Sequence, residues 1–252
     1  MEFQLHQRLV SRLRLNCSFL ENSRVFNKPR GERSFDIFFQ MLAGLSDCEK
    51  HSLQLSNTAV DDLKYLSDGR NHVRVGGEVD EYRKQFRDWR KSVEELGISF
   101  FDVMKVFAAV LLIGNIDLDT EDDTETEVES VSKLLSIKKD VLIRGLTIRT
   151  QKISGEICRR NVDKKHLESI KNSLATSLYV RTVNTIVKRI NCLNPSGSVR
   201  QQTSQDTPCS FLILDSFGLQ RSACGLEKLC MNLCTETMQV ITLLSITSML
   251  EV

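Results

Sequence analysis

The chain has 252 residues, 41% of them hydrophobic, enough for one large domain or two small ones with a real core. Its 34 basic and 33 acidic side chains leave a formal charge of +1, which gives no argument for nucleic acid or a membrane as partner, and neither a nucleic-acid partner nor a membrane span is expected. Eight cysteines occur without a Cys-x-x-Cys and four histidines without a His-Glu-x-x-His, so a zinc site is not expected and the cysteines read as reduced intracellular thiols.

The opening Met1-Glu2-Phe3-Gln4-Leu5-His6 has no signal-peptide character. Residues 3 to 20 alternate apolar with polar through Phe3, Leu5, Leu9, Val10, Leu13, Leu15, Cys17 and Phe19, the period-two pattern of strands in a hairpin. Phe35, Phe38, Phe39, Leu42 and Leu45 fall at helical spacing and read as core packing, with Ser34 placed to cap the helix. Asp80 to Leu96 reads as a charged helix with Tyr82, Phe86, Trp89 and Val93 on one face, ended by Gly97. Trp89 is expected as an anchor of that face rather than a ligand stacker. Ser99 opens the next helix, and Phe100 to Ile113 is apolar nearly all round, the pattern of a helix buried in a large domain. That stretch contains Asp102 and Lys105 and is too short to span a bilayer. A soluble intracellular protein is expected.

Asp117 to Glu129 holds eight acidic residues and no basic one, a pattern read as a solvated loop. The spacing and central glycine of an EF-hand are missing there. Lys138 to Lys165 is the mirror image, with nine Lys/Arg against Asp140, Glu156 and Asp163. Inside it, Leu146 to Cys158 is expected to form a hairpin turning at Ser154-Gly155. Leu167, Ile170, Leu174, Leu178, Val183, Ile186 and Ile190 predict an amphipathic helix of about six turns. Asn194-Pro195-Ser196-Gly197 stops it, and a polar loop over 195–208 leads to the apolar run Phe211-Leu212-Ile213-Leu214. That run ends in Asp215, with Gly218 three residues on and a helical pattern from Leu226. A buried strand presenting a carboxylate at its C-terminal end, then a glycine whose N–H can approach a phosphate, is a plausible nucleotide-sensing turn.

Several phrases, in order, resemble the myosin motor domain. Gly31-Glu32-Arg33-Ser34-Phe35-Asp36-Ile37-Phe38-Phe39-Gln40-Met41-Leu42-Ala43-Gly44 is similar to the family's Gly-Glu-Arg-Asn-Phe-His-Ile-Phe-Tyr-Gln-Leu-Leu-Ala-Gly. Ser18 to Val25, Ala108 to Ile116 and Leu174 to Asn191 resemble further family phrases, and Glu227, Leu229, Cys230, Asn232, Glu236 and Gln239 fall in register with the helix after switch II. Leu214-Asp215-Ser216-Phe217-Gly218 occupies the place of switch II itself. The resemblance implies α/β architecture: a mostly helical upper-subdomain-like region of a myosin motor plus several strands of the central transducer sheet, an incomplete P-loop NTPase-type motor. It implies a partial motor over 1–239, with upper actin-binding subdomain and sheet strands in 1–209, switch II and its helix in 210–239, and a divergent tail over 240–252.

For function, the resemblance implies a fragment of an actin-based, ATP-dependent cytoskeletal motor, with ATP and magnesium as the family's ligands. Asp215 would reach magnesium through water, and Gly218 the γ-phosphate. Gln220 stands where the family has a glutamate that pairs with the switch I arginine, and a neutral amide cannot form that charge-assisted pair. Ser216 and Leu219 depart from the pattern as well. No Gly-x-x-x-x-Gly-Lys-[Ser/Thr] and no Gly-Lys pair occurs, and the switch I phrase is missing. The expectation is that this chain binds no nucleotide tightly and is not a competent ATPase by itself. The basic hairpin, with Arg149, Lys152, Arg159 and Arg160, is the candidate contact to the actin filament, whose surface is acidic. Other myosin segments or cortical proteins are further partners, and the cytoplasm, cytoskeleton or actin-rich cortex the expected location. A non-motor actin-binding or scaffolding module is the alternative. A small independent hydrolase finds no nucleophile–base pair to support it.

Overall fold

The computed structural model describes residues 1–6, 9–18, 21–28, 32–67, 77–117, 124–153, 155–193, 209–215, 218–219 and 225–250. The chain divides into two compact units, one formed by Asn22–Arg189 and the other by Met1–Glu21 with Ile190–Val252. No helix among the described residues is long and apolar enough to cross a membrane.

In the Asn22–Arg189 unit, α1 (Asp36–Gly44) buries Phe38, Phe39, Met41 and Leu42, the face expected from the spacing. Ser34 does not cap it: Phe35 holds the cap position, and the Ser34 hydroxyl donates to the Arg24 carbonyl at 3.1 Å. The bond ties the buried Ser34 to the Asn22–Val25 turn. α2 (Asp47–Ser52) opens with a capping box, Ser46 Oγ accepting from the Glu49 N–H while the Glu49 carboxylate accepts from the Ser46 N–H. α3 (Gly77–Glu95) buries Tyr82, Phe86 and Val93 as expected. It lies so close to α1 that a Cβ on Gly44 would sit 2.3 Å from the Phe86 ring, so only glycine permits this approach. Trp89 anchors the face, its ring 5.4 Å from Phe100 and 6.5 Å from Phe107.

α4 (Phe100–Asn115) is the hub. Met104, Ala108, Ala109, Val110, Leu111 and Ile113 are fully buried, and α3 and α5 pack against it. α5 (Thr124–Leu135) corrects the reading of Asp117–Glu129 as loop, because its second half is helical. Val128, Val131 and Leu134 are buried at helical spacing, acids in a first turn suit the helix dipole, and Glu129 pairs with Lys133 at 2.7 Å. Residues 118–123 lie outside the described set. α6 (Lys139–Thr147) buries Leu142 and Leu146 and runs directly into the β3–β4 hairpin.

α7 (Lys164–Leu193) is longer than its apolar pattern predicts. Its most buried positions are Lys171, Ala175 and Tyr179, while Ile170, Leu174, Leu178, Val183 and Ile186 are half-buried against the core. The burial axis passes through a lysine and an alanine, which hydropathy alone does not weight. The expected stop at 194–197 and the loop over 195–208 lie outside the described residues.

In the other unit, β1 (Glu2–His6) and β2 (Leu9–Arg14) pair antiparallel as expected, but the strand pattern read to residue 20 ends at Arg14: residues 15–18 are not strand, and 19–20 lie outside the described residues. β5 (Cys209–Leu212) pairs antiparallel with the other edge of β1, giving the order β2-β1-β5. The Asn191 side-chain amide is bonded both ways to the Leu15 backbone at 2.8 Å. α8 (Leu226–Leu250) follows β5 and buries Lys228, Met231 and Thr235.

Candidate functional site

The basic ribbon is β3 (Ile148–Ile153) paired with β4 (Glu156–Asn161). It begins two residues later than the expected Leu146, because Leu146 is buried as the last anchor of α6. Ile153 faces Glu156 at the end of the ribbon, Gly155 sits at φ +93, a region glycine enters without strain, and Ser154 of the expected turn lies outside the described residues. The Val162 N–H donates to the Thr147 carbonyl at 2.8 Å and closes the base.

The register decides where the four cations stand. Arg149 lies opposite Arg160, so these share one face; Arg159 lies opposite Thr150 and Lys152 opposite Ile157, which puts Arg159 and Lys152 on the other. Arg149 and Lys152 are exposed, and so is every residue of β4. Two directly opposed arginines disfavour the pairing unless an anion bridges them. The ribbon is therefore a two-sided cationic projection suited to carboxylates.

The second candidate follows β5. Here the expectation of a buried strand fails: Phe211, Leu212, Ile213 and Leu214 are all exposed, Leu212 at 61%. β5 is an edge strand of an antiparallel sheet rather than an inner strand of an open parallel one, and Leu214 just beyond it lines a cavity with Met238, Gln239, Thr242 and Leu243 of α8. The Ile213 N–H donates to the Met1 carbonyl at 2.8 Å and extends the ladder by one step toward Asp215. Asp215 and Gly218 are exposed, and Gln220 lies outside the described residues.

Magnesium and ATP, implied by the resemblance, were tested against these residues. Among the described residues, a Cβ built on Gly218 meets no atom within 4 Å. Among the described residues no group of three or more His, Cys, Asp or Glu side chains could hold a metal ion. The described residues do not fit a self-contained magnesium–nucleotide site.

Two buried lysines escaped the reading of the sequence. Lys171 Nζ donates to the carbonyls of Gly114 at 3.2 Å and Ile116 at 2.8 Å and pairs with Glu168 at 2.8 Å, capping the C-terminal end of α4. Burial pulls its pKa below the ordinary lysine value, against the pull of Glu168. It lines a cavity of ~340 Å³ with Lys64, Asn115, Asp117, Lys164 and Glu168. Lys228 is 7% exposed, and its Nζ lies 3.5 Å from the equally buried Glu21. The signal for Lys171 was its place four residues before Ala175 and eight before Tyr179; Lys228 likewise precedes Met231 and Thr235 by three and seven.

Comparison with known proteins gives a match to the family described as myosin head (motor domain) over residues 1–249. The chain is 31% identical to Myosin-VIIa of Drosophila melanogaster, over 87% of this chain and 10% of that protein. It is 30% identical to unconventional myosin-Ib of Rattus norvegicus, over 88% of this chain and 20% of that protein. With unconventional myosin-Ig of Homo sapiens the identity is 28%, over 89% and 24%. The chain thus spans about a tenth to a quarter of the length of these relatives.

Proposed function

The chain belongs to the myosin head (motor domain) family, and from that premise we propose that it is part of an actin-based, ATP-dependent cytoskeletal motor, contributing filament contact rather than nucleotide turnover. The observation that carries this reading is the β3–β4 ribbon, which sets Arg149, Lys152, Arg159 and Arg160 on two exposed strands. Such a projection steers toward an acidic filament and fixes register once there. Asp215, Gly218 and Gln220 act in nucleotide sensing only when the phosphate-binding elements of a whole motor stand beside them. On this reading the chain by itself does not hydrolyse ATP, and it works at the cytoskeleton or the actin-rich cortex.

The second reading, a non-motor actin-binding or scaffolding module, is favoured by the open surroundings of Asp215 and Gly218. Co-sedimentation with filamentous actin tests the shared element. Binding at low salt should weaken steeply as ionic strength rises, and Arg149→Glu with Arg160→Glu should weaken it by at least about tenfold, since each reversal puts like charge against the filament. Failure to pellet with actin at any salt would sink both readings. Calorimetry with magnesium-ATP separates them from an active enzyme: no heat is expected, and micromolar binding lost in Asp215→Ala would mean that the chain builds a nucleotide site of its own.

A further inference from the structure

We propose that the groove between the start of α4 and the second half of α7 binds a free medium-chain fatty acid, with Arg189 holding its carboxylate. The groove measures about 410 Å³ and lies wholly within the Asn22–Arg189 unit. Ile98, Val103, Val106, Leu178 and Ile186 line it, so its walls are aliphatic. Thr182 and Thr185 line it too, but their hydroxyls donate back to the Leu178 and Arg181 carbonyls at 2.8 and 2.7 Å, and neither proton is free for a ligand. Aliphatic walls with a few polar groups at the rim are the make-up of a small-molecule pocket.

The rim is cationic. Arg181 and Arg189 both line the groove, eight residues apart on α7, about 12 Å at the rise of a helix. Arg189 is held in place: its Nε donates to the Leu96 carbonyl at 3.0 Å, and a Cβ on Gly97 would stand 3.1 Å from its guanidinium. A guanidinium fixed through one nitrogen keeps the rest of its donor fork for a carboxylate and has little freedom left to lose on binding. Among the described residues neither arginine has an acid as partner. Asp102, the acid among the lining residues, is answered by Lys105 at 3.1 Å. The field at the rim therefore favours an anion.

Width selects the body of the ligand. A protein helix with its side chains is about 10–12 Å across, too wide to sink into this volume drawn out over two turns of α7, whereas a single hydrocarbon chain fills it. The carboxylate then sits on Arg189, the chain runs past Ile186 toward Leu178, Val103 and Val106, and the exposed Arg181 draws the anion in from solvent. Burial of the chain supplies the affinity, and the arginine fork supplies the direction. This site is separate from the basic ribbon and does not rest on its reading.

Isothermal titration calorimetry of the full chain with decanoate, below its micelle concentration, should show saturable one-to-one binding at about 100 µM or tighter. Decan-1-ol, the same chain without the charge, should bind at least about tenfold more weakly. Arg189→Gln should cost about tenfold or more and Arg181→Gln about threefold, because one arginine clamps and the other steers. Val106→Trp, which fills the groove without touching a charge, should abolish binding. Lys188→Gln, at an exposed position of α7 outside the lining, should leave it unchanged. Circular dichroism should report unchanged folding in the two arginine variants, whose side chains are exposed. No saturable heat at about 1 mM decanoate, decan-1-ol binding as tightly as decanoate, or a folded Arg189→Gln or Val106→Trp chain that binds as the unaltered one does would each overturn the proposal. Equal losses in Lys188→Gln and Arg189→Gln would overturn it too, since general positive charge and not the groove would then hold the acid.

Discussion

The Asn22–Arg189 unit and the unit built from Met1–Glu21 with Ile190–Val252 treat their apolar side chains in opposite ways. Of the described apolar residues that are fully shielded, all but Met231 belong to the first. Fourteen of the exposed large apolar residues, from Met1 to Leu244, belong to the second, against Phe26, Ile137, Val141 and Ile157 in the first. The first unit closes its core with its own helices around α4. The second offers an edge strand and a leucine-striped helix, surfaces that gain most from contact with another chain or segment.

If the contrast is real, equivalent truncations must differ sharply. Phe38→Ala or Met104→Ala, at fully buried positions, should cost about 3–5 kcal/mol by chemical denaturation. Leu212→Ala, in the exposed edge strand, should stay within about ±0.5 kcal/mol. Comparable losses at the two places would break the comparison and show that the edge strand packs as a core does.

The two buried lysines sharpen it further. Lys171 has three acceptors within hydrogen-bond or ion-pair distance, and Lys171→Ala would leave the Gly114 and Ile116 carbonyls without their donor while the half-exposed Glu168 keeps Lys64 at 3.4 Å, a loss of about 1–3 kcal/mol. Lys228 stands 3.5 Å from Glu21 with both side chains buried, and Lys228→Met would take that cation from a buried carboxylate, a loss of about 3–5 kcal/mol. A reversed order would mean that the Glu21–Lys228 pair contributes less to its unit than the α4 cap does to the other.

Alkaline titration gives a smaller effect on the first unit. Burial holds the phenols of Tyr65 and Tyr179 protonated well above their ordinary range, and the Tyr65 hydroxyl also donates to Asn172 at 2.7 Å. Groups whose folded pKa is raised keep more protons folded than unfolded, so their contribution is complete below about pH 10 and declines above it. The melting temperature should therefore fall as pH rises past about 10, and Tyr65→Phe should make that fall shallower. An identical alkaline slope in the variant would remove Tyr65 from the account.

Much of the first unit could be read from the chain itself, because periodic apolar residues report directly on burial: the faces of α1, α3 and α4 fell where spacing put them. The hairpin at Gly155 was legible because a short loop with glycine is chemically specific. What escaped depends on tertiary context. Ser34 donates to a carbonyl of the preceding turn instead of accepting from a helix N–H, and Thr124–Glu129 became helical because Val128, Val131 and Leu134 found a core. Lys171 is polar by type but buried by position. The candidate site was legible as composition, a basic hairpin, but not as geometry. Which of Arg149, Lys152, Arg159 and Arg160 share a face follows from strand register, which one residue of slip would reverse. The apolar run before Asp215 misled because hydropathy cannot tell a strand covered on both faces from an edge strand waiting for a neighbour.

The smallest effect concerns Gly218. Its backbone lies outside the left-handed region, and an added Cβ would meet nothing within 4 Å, so alanine should be accommodated without strain. Replacing such a glycine restricts the unfolded chain, and Gly218→Ala should leave stability unchanged or raise it by up to about 0.5 kcal/mol in urea denaturation. Gly44→Ala is the internal contrast: its Cβ would stand 2.3 Å from Phe86, and forcing α1 away from α3 should cost about 1–3 kcal/mol. A glycine kept for packing and a glycine standing in open solvent are thereby told apart by one methyl group each. A loss above about 1 kcal/mol for Gly218→Ala would mean that Gly218 packs against its own chain in solution.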